Sequence, residues 1–209
     1  MGCGRHCSET TEVVVVSYGF QRTATGRIVL RVDQVERGLL ASVARQVIDL
    51  VKPEELSADV DPLAAQIGWV EGEAGPSNDP AVARLLPDAY DDVEEASEFR
   101  RFTEHDLRQT KVQHATTVLA EVERSGEKIT VGSAESWLGT LNDARIAIGT
   151  RIQISEDNHE ELASLPEGDP RAGLFHVYDW LTFLQESLVR CLDPSLYGFT
   201  DEDIPFADD

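Results

Sequence analysis

In Trp137-Leu-Gly-Thr-Leu-Asn-Asp-Ala-Arg-Ile-Ala-Ile-Gly-Thr-Arg-Ile-Gln-Ile154, apolar residues recur at intervals of three or four positions. This spacing places them on one stripe of a helix and predicts that the helix is largely buried. Ser133 is a suitable N-cap residue for it. Gly139 and Gly149 would let neighbouring backbones approach closely. We therefore expect this helix to be the centre of the fold. Its core-facing residues are predicted to be Trp137, Leu141, Ile148 and Ile152.

The same stretch carries polar residues that a buried helix cannot leave unpaired. Asn142, Asp143 and Arg145 interrupt its apolar surface, and a buried charge without a partner is very costly. We expect a structural polar network, formed by Arg100, Arg101, Asn142, Asp143 and Arg145. The alternative is a ligand or catalytic site at Asn142, Asp143 and Arg145, which the presence of a pocket would favour.

An antiparallel β-hairpin is predicted near the N-terminus. The β-branched run 13–18 and the alternating run 27–32 are separated by a turn-like sequence at 21–26. A hairpin alone is marginally stable, so it must pack on a helix. Apolar residues at helical spacing supply that helix from Val35 to Val51, before Pro53 stops the run.

Further helices are predicted from Asp-Pro starts, helical spacing and terminal Gly or Pro residues. Residues 129–131 are expected to form an extended link, and residues 155–168 an acidic connector. Apart from the first and the central helix, the predicted helices cover residues 61–68, 79–86, 91 to about 125 and 169–192.

These elements predict a mostly α (α+β) protein, a helical domain with an N-terminal antiparallel β-hairpin. Residues 1–10 are expected to form a flexible, redox-active segment, because they lack hydrophobic periodicity. Residues 11–193 are expected to form a single domain, and residues 194–209 an acidic tail.

The composition excludes several classes of function. With 18 basic and 39 acidic residues among 209, the formal charge is −21, which opposes direct contact with nucleic acid or an anionic membrane. No apolar run approaches the roughly 20 residues of a membrane-spanning helix, and we find no export signal. The sequence therefore predicts a soluble, cytoplasmic protein, and leaves a homo-oligomer open. No catalytic or cofactor-binding motif is present, so we expect neither an enzyme nor a cofactor.

The cysteines indicate redox chemistry near the N-terminus. Cys3 and Cys7 form a C-x-x-x-C motif that encloses Arg5 and His6. Positive charge beside a thiol favours the thiolate, which is the form that reacts with oxidants. These four residues are therefore candidates for a disulfide switch. Cys191 lies at the end of an apolar helical face and is assigned to the core.

Two other interpretations of the motif remain open. The terminal cysteines could be incidental, since their spacing alone is a weak signal. Alternatively, Cys3, His6 and Cys7 could bind zinc with His159 or His176 as a fourth ligand, although this spacing matches no standard zinc module.

Longer motifs connect the chain with a known family. They include Glu98-Phe-Arg-Arg-Phe-Thr-Glu104 and the central stretch itself, with further matches at 79–90 and 178–188. With the C-x-x-x-C motif added, the chain resembles the actinomycete oxidative stress regulators, an actinobacterial family. The resemblance implies a thiol-switched regulator of transcription in which Cys3 and Cys7 are the sensing pair.

The resemblance also implies a protein partner, either an alternative sigma factor or RNA polymerase. The acidic charge fits such a role, because it can meet a basic protein surface without contact to DNA. The alternative is a constitutive acidic adaptor or scaffold whose cysteines play no part in binding.

Overall fold

Six helices and three short strands form the part of the chain that this computed structural model describes, residues 18–52, 77–124, 128–193 and 195. The strands are β1 (Gly19–Arg22), β2 (Ile28–Arg31) and β3 (Ile129–Thr130). The predicted fold class, mostly helical with an N-terminal antiparallel hairpin, is confirmed. The helices are α1 (Gln34–Val51), α2 (Pro80–Leu85), α3 (Val93–Glu123), α4 (Ala134–Arg151), α5 (His159–Ala163) and α6 (Pro170–Leu192).

The three strands form one antiparallel sheet in the order β1-β2-β3. Phe20 pairs with Leu30, and Leu30 pairs with Ile129 on its other side. The turn between β1 and β2 includes Gly26, whose positive φ of 82° suits a residue without a side chain. The hairpin is therefore widened by a third strand from the extended link before α4.

The position of the first strand corrects the sequence prediction. Of the predicted strand 13–18, only Tyr18 lies within the described residues, and it precedes β1. Gln21 and Arg22, which were assigned to the turn, are strand residues. Strand position is decided by pairing and packing, and here Phe20 is buried against Trp137 with ring centroids 5.2 Å apart.

Side-chain caps explain where most of the helices begin. Asp33 and Glu36 form a reciprocal capping box at α1. Ser133 accepts a hydrogen bond from the Ser136 backbone at the start of α4, as predicted. Aspartates occupy the same position, with a side chain that accepts backbone N–H bonds, before α2, α3 and α6: Asp79, Asp92 and Asp169.

Helix α4 is the centre of the core, because it packs against α1, α2, α3 and α6. Trp137 and Leu141 are fully buried in the main cluster. Ile152 belongs to a smaller cluster with Leu162 and Phe175, and Ile148 is only partly buried between the two. The predicted buried stripe is thus confirmed, but it serves two clusters.

Other predictions have mixed outcomes. The helices expected at 79–86, 91 to about 125 and 169–192 are confirmed, while the acidic connector contains the short helix α5. The helix predicted at 61–68, the segment 1–10 and, apart from Ser195, the tail 194–209 lie outside the described residues. Within the described parts of the chain, no helix is long and apolar enough to cross a membrane.

Candidate functional site

The predicted switch residues Cys3, Arg5, His6 and Cys7 lie outside the described residues. The described chain begins at Tyr18, directly before β1, and β1 packs on α6. The backbone N–H of Phe20 donates a 3.1 Å hydrogen bond to Ser187 Oγ. The first described strand is therefore held on the face of α6.

Cys191 has the environment of an unreactive thiol. Its side chain lies in the main core cluster and the residue is 5% exposed. Burial raises the pKa of Cys191 to about 11, although Arg22 and Arg190 act in the opposite direction. Because the thiolate is the reactive form, Cys191 should resist oxidants while the protein is folded. Its assignment to the core is confirmed.

The buried Arg100 is the centre of a partly exposed ion-pair cluster near the start of α3. Its guanidinium lies 2.6 Å from Asp88 Oδ1 and 2.6 Å from Glu104 Oε2. Arg108 Nε also binds Glu104, at 2.8 Å, and Arg108 donates to the carbonyl oxygen of Val51 at the end of α1. Burial lowers the pKa of Arg100, but Glu104 and Asp88 raise it by more. This cluster fastens α3 to the end of α1 and to the chain that follows α2.

Asp143 belongs to a different contact, which joins α3 to α4. Lys111 Nζ donates a 2.7 Å hydrogen bond to Asp143 Oδ1. Burial raises the pKa of Asp143, and the contacts with Lys111 offset this only in part. The partner of Asp143 is therefore a lysine of α3 and not one of the arginines grouped with it from the sequence.

Arg145 belongs to a third group, between α4 and α6. It donates to Gln185 Oε1 at 2.9 Å and to the Tyr178 hydroxyl at 3.3 Å. Asn142 is exposed, and Arg101 is half-buried with an Nε that has no hydrogen-bond partner. The contacts of the five predicted network residues thus fall into separate groups, and their joint role stays a prediction.

Arg145 and Asn142 do share a pocket. It is an open concavity of about 360 Å³ between α2, α4 and α6. The sequence analysis singled out Asn142, Arg145 and Gly149 but missed Arg84 and Tyr178, because these two come from elements distant along the chain. The full lining is Arg84, Asn142, Arg145, Ile146, Gly149, Ile154 and Tyr178.

Two glycines of α4 allow close packing, as predicted, but the groups that approach them are side chains and not neighbouring backbones. An added Cβ at Gly139 would lie 2.8 Å from His114 Nδ1. At Gly149 it would lie 2.9 Å from Ile154 Cγ2 and 3.2 Å from Tyr178 Cε2. The separations of 2.8 Å and 2.9 Å are shorter than real Cβ atoms show, so an alanine at either position would require a neighbouring side chain to move.

The two histidines of the zinc alternative both lie beside Phe175. The ring centroids of His159 and His176 are 5.1 Å and 6.5 Å from that of Phe175. Among the residues that the structure describes, no group of three or more His, Cys, Asp or Glu side chains is placed to hold a metal ion.

These features define a mostly helical protein built around α4, with a small sheet on one face and a cationic pocket between three helices. No solved structure matches the chain. Over residues 17–192 the chain matches the family described as "Domain of unknown function (DUF2017)". The chain belongs to this family.

The similar proteins include named regulators from mycobacteria. "Oxidative stress regulator AosR" from Mycobacterium bovis and from Mycobacterium tuberculosis are each 32% identical over 221 residues, which cover 91% of this chain and 96% of theirs. "Putative oxidative stress regulator AosR" from Mycobacterium leprae is 32% identical over 213 residues, with 91% and 97% covered. The resemblance that the sequence motifs indicated is therefore confirmed.

Proposed function

We propose that this chain is a cytoplasmic, thiol-based redox-sensing regulator of transcription in oxidative stress. Its switch is an intramolecular disulfide between Cys3 and Cys7, which changes affinity for a sigma factor or RNA polymerase. Residues 1–10 carry the switch, 11–193 form the folded domain, and 194–209 form an acidic tail. The names of the relatives, oxidative stress regulators, support this role.

The observation that carries the proposal is the burial of Cys191. The chain has three cysteines, and burial, which raises the pKa of Cys191 to about 11, should make this thiol slow to react with oxidants in the folded protein. Sensing by thiols therefore falls to Cys3 and Cys7. Arg5 and His6 between them supply positive charge that favours the thiolate.

The chemistry needs only a peroxide as oxidant. The thiolate of one cysteine attacks a peroxide oxygen, giving a sulfenic acid and releasing hydroxide. The second thiol then attacks the sulfenic sulfur, so that the S–S bond forms and water leaves. The two thiols are joined by so short a loop that their effective concentration is about millimolar or higher, which favours the bridge within one chain over dimerisation.

The partner is a protein, because the charge of the chain opposes nucleic acid. A formal charge of −21 suits a basic patch on a sigma factor or polymerase. On the described body, β1 packs on α6, and Phe183 of α6 is 44% exposed beside Gly19.

The test is non-reducing peptide mapping after mild peroxide, paired with binding to RNA polymerase and to sigma factors in both redox states. The Cys3–Cys7 bridge should appear in the wild type and in Cys191→Ala, but not in Cys7→Ser. Binding should differ between oxidised and reduced wild type and be insensitive to peroxide in Cys7→Ser. If no bridge forms, or both states bind equally, the protein is instead a constitutive acidic adaptor.

A further inference from the structure

The pocket between α2, α4 and α6 has an unexpected charge. Acidic residues outnumber basic ones by 39 to 18 in the chain, yet none of the residues that line this pocket is acidic, and two are arginines. Other basic side chains of the described body, such as Arg100, Arg108 and Lys111, do pair with carboxylates. Two arginines therefore lie in one concave site without acidic residues in its described lining. Their positive charge favours binding of an anion there.

Neither arginine of the pocket is neutralised within the described part of the chain. Arg84, in the last turn of α2, is exposed and forms no ion pair there. Arg145 bonds only to the neutral groups of Gln185 and Tyr178, and its buried Nε has no hydrogen-bond partner. Its guanidinium also lies 5.2 Å from the centroid of the Tyr178 ring. These contacts hold Arg145 in a fixed orientation while leaving its charge unpaired.

The apolar wall of the pocket is positioned by the end of α4. Gln153 has a positive φ of 56°, and its N–H bonds to the carbonyl of Thr150. The next N–H, that of Ile154, bonds back to the carbonyl of Gly149 at 2.9 Å. This pair of bonds is a Schellman motif, which turns the chain sharply after the helix. It places Ile154 beside Gly149, which Tyr178 also approaches, so backbone geometry positions this part of the wall.

We propose that this pocket binds a small organic anion, whose carboxylate or phosphate group is held by Arg84 and Arg145. A guanidinium offers paired N–H donors that match two oxygens of either group. The Asn142 side chain adds a neutral hydrogen-bonding group at the same pocket. The apolar part of the ligand packs on Ile146, Ile154 and the Tyr178 ring. The pocket volume of about 360 Å³ lies within the range that is typical of small-molecule binding sites.

The test is isothermal titration of the full-length, reduced protein with benzoate and with phenyl phosphate. Benzyl alcohol serves as the uncharged control, and inorganic phosphate as the anion without an apolar part. Benzoate or phenyl phosphate should bind, and the tighter of the two identifies the preferred acidic group. Benzyl alcohol should not bind, and inorganic phosphate should bind more weakly than phenyl phosphate.

Two variants and one control locate the site. Arg84→Gln should weaken binding about tenfold or more, because a charge-assisted contact is lost at an exposed residue that the fold does not need. Arg145→Lys keeps the charge but loses the planar fork, and should weaken binding by a similar factor. Arg151→Gln removes an exposed arginine of the same helix, outside the pocket, and should leave the affinity within about twofold.

Melting temperatures establish that Arg84→Gln is folded, so its result stands even if Arg145→Lys is destabilised. The proposal is overturned if neither organic anion binds the wild type at concentrations up to about 10 mM. It is equally overturned if Arg84→Gln and Arg151→Gln bind alike. The site uses no thiol, so Cys3→Ser/Cys7→Ser should bind as the wild type does, and this result is independent of the redox proposal.

Discussion

Trp137 and Glu121 are joined by a hydrogen bond that links the central helix to the long helix. The indole Nε1–H of Trp137 donates to Glu121 Oε2 at 2.7 Å, and both residues are buried. The other oxygen, Oε1, accepts the backbone N–H of Gly132 at 3.1 Å. One carboxylate thus fixes α3, the start of α4 and the chain after β3 relative to one another.

Truncation of Glu121 should be strongly destabilising. Glu121→Leu leaves the buried indole N–H of Trp137 and the part-buried N–H of Gly132 without an acceptor, which costs about 1 to 3 kcal/mol in free energy of unfolding. Glu121→Gln keeps one acceptor oxygen and should lie between the wild type and Glu121→Leu. Urea unfolding at pH 7 measures both values.

Glu123→Gln is the matched control for these variants, because Glu123 is half-exposed on the same helix and pairs with Arg45 at the surface. It should change the free energy of unfolding by less than about 1 kcal/mol. A Glu121→Leu variant as stable as this control would show that the Trp137 contact contributes little.

Local signals account for the parts of the fold that the sequence predicted well. A helix start depends on residues only a few positions apart, so Ser133 and Asp169 could be recognised without the fold. The pairing of Glu121 with Trp137 joins two helices that no local pattern connects. The position of β1 also depends on distant partners, because Phe20 packs on Trp137 and bonds to Ser187.

The same difference explains what could be predicted of the candidate sites. The charges within α4 showed that partners must exist, but not which ones, since Lys111 and Gln185 come from other helices. Arg84 was not recognised, because a lone arginine in a short helix has no distinctive pattern. A C-x-x-x-C motif, by contrast, is read directly from the sequence.

The stability contribution of Asp143 should depend on pH in a defined direction. Burial raises the pKa of Asp143 above its ordinary value of 3.8, so the folded state binds this proton more tightly than the unfolded state. The associated stability is fully present below pH 3.8 and is lost as pH rises through the folded pKa. The difference in free energy of unfolding, wild type minus Asp143→Asn, should therefore decrease from about pH 4 toward pH 7.

Urea unfolding across this pH range checks the prediction. Asp49→Asn provides the matched control, because Asp49 is exposed on α1 and should show no such trend. A difference that grows with pH for Asp143→Asn would mean that Lys111 outweighs burial.

Gln153→Gly should stabilise the protein. Gln153 holds a left-handed conformation at the end of α4, which costs a residue with a Cβ about 1 to 2 kcal/mol. Glycine relieves this cost but gains freedom in the unfolded chain, so the net gain should be up to about 1 kcal/mol. Thermal unfolding measures the gain.

The matched control is Gln153→Ala, which keeps the strain and should show no gain. If both variants are destabilised equally, the Gln153 side chain itself stabilises the protein, and relief of backbone strain does not determine the change in stability.

Cys191 should be protected from alkylation in the folded protein. With its pKa raised to about 11 by burial, almost none of the thiol is ionised at neutral pH. Under native conditions iodoacetamide should label Cys3 and Cys7, and label Cys191 only after denaturant is added. Mass spectrometry of the peptides measures each site. If Cys191 is labelled as fast as Cys3, the prediction that burial in the core protects Cys191 is wrong.

Reversal of charge beside the motif should slow its oxidation. In Arg5→Glu a negative side chain replaces the positive one between Cys3 and Cys7, which raises the thiol pKa values and lowers the thiolate fraction at pH 7. We expect disulfide formation by peroxide to slow about three- to tenfold, measured by quenched alkylation over time.

The effect should diminish at about pH 10, because both proteins are then mostly thiolate whatever residue stands at position 5. Arg151→Glu makes the same change of net charge at an exposed site on α4 and should oxidise at the wild-type rate. If both variants slow equally, the general charge of the protein controls the reaction; if neither slows, Arg5 does not activate the thiols.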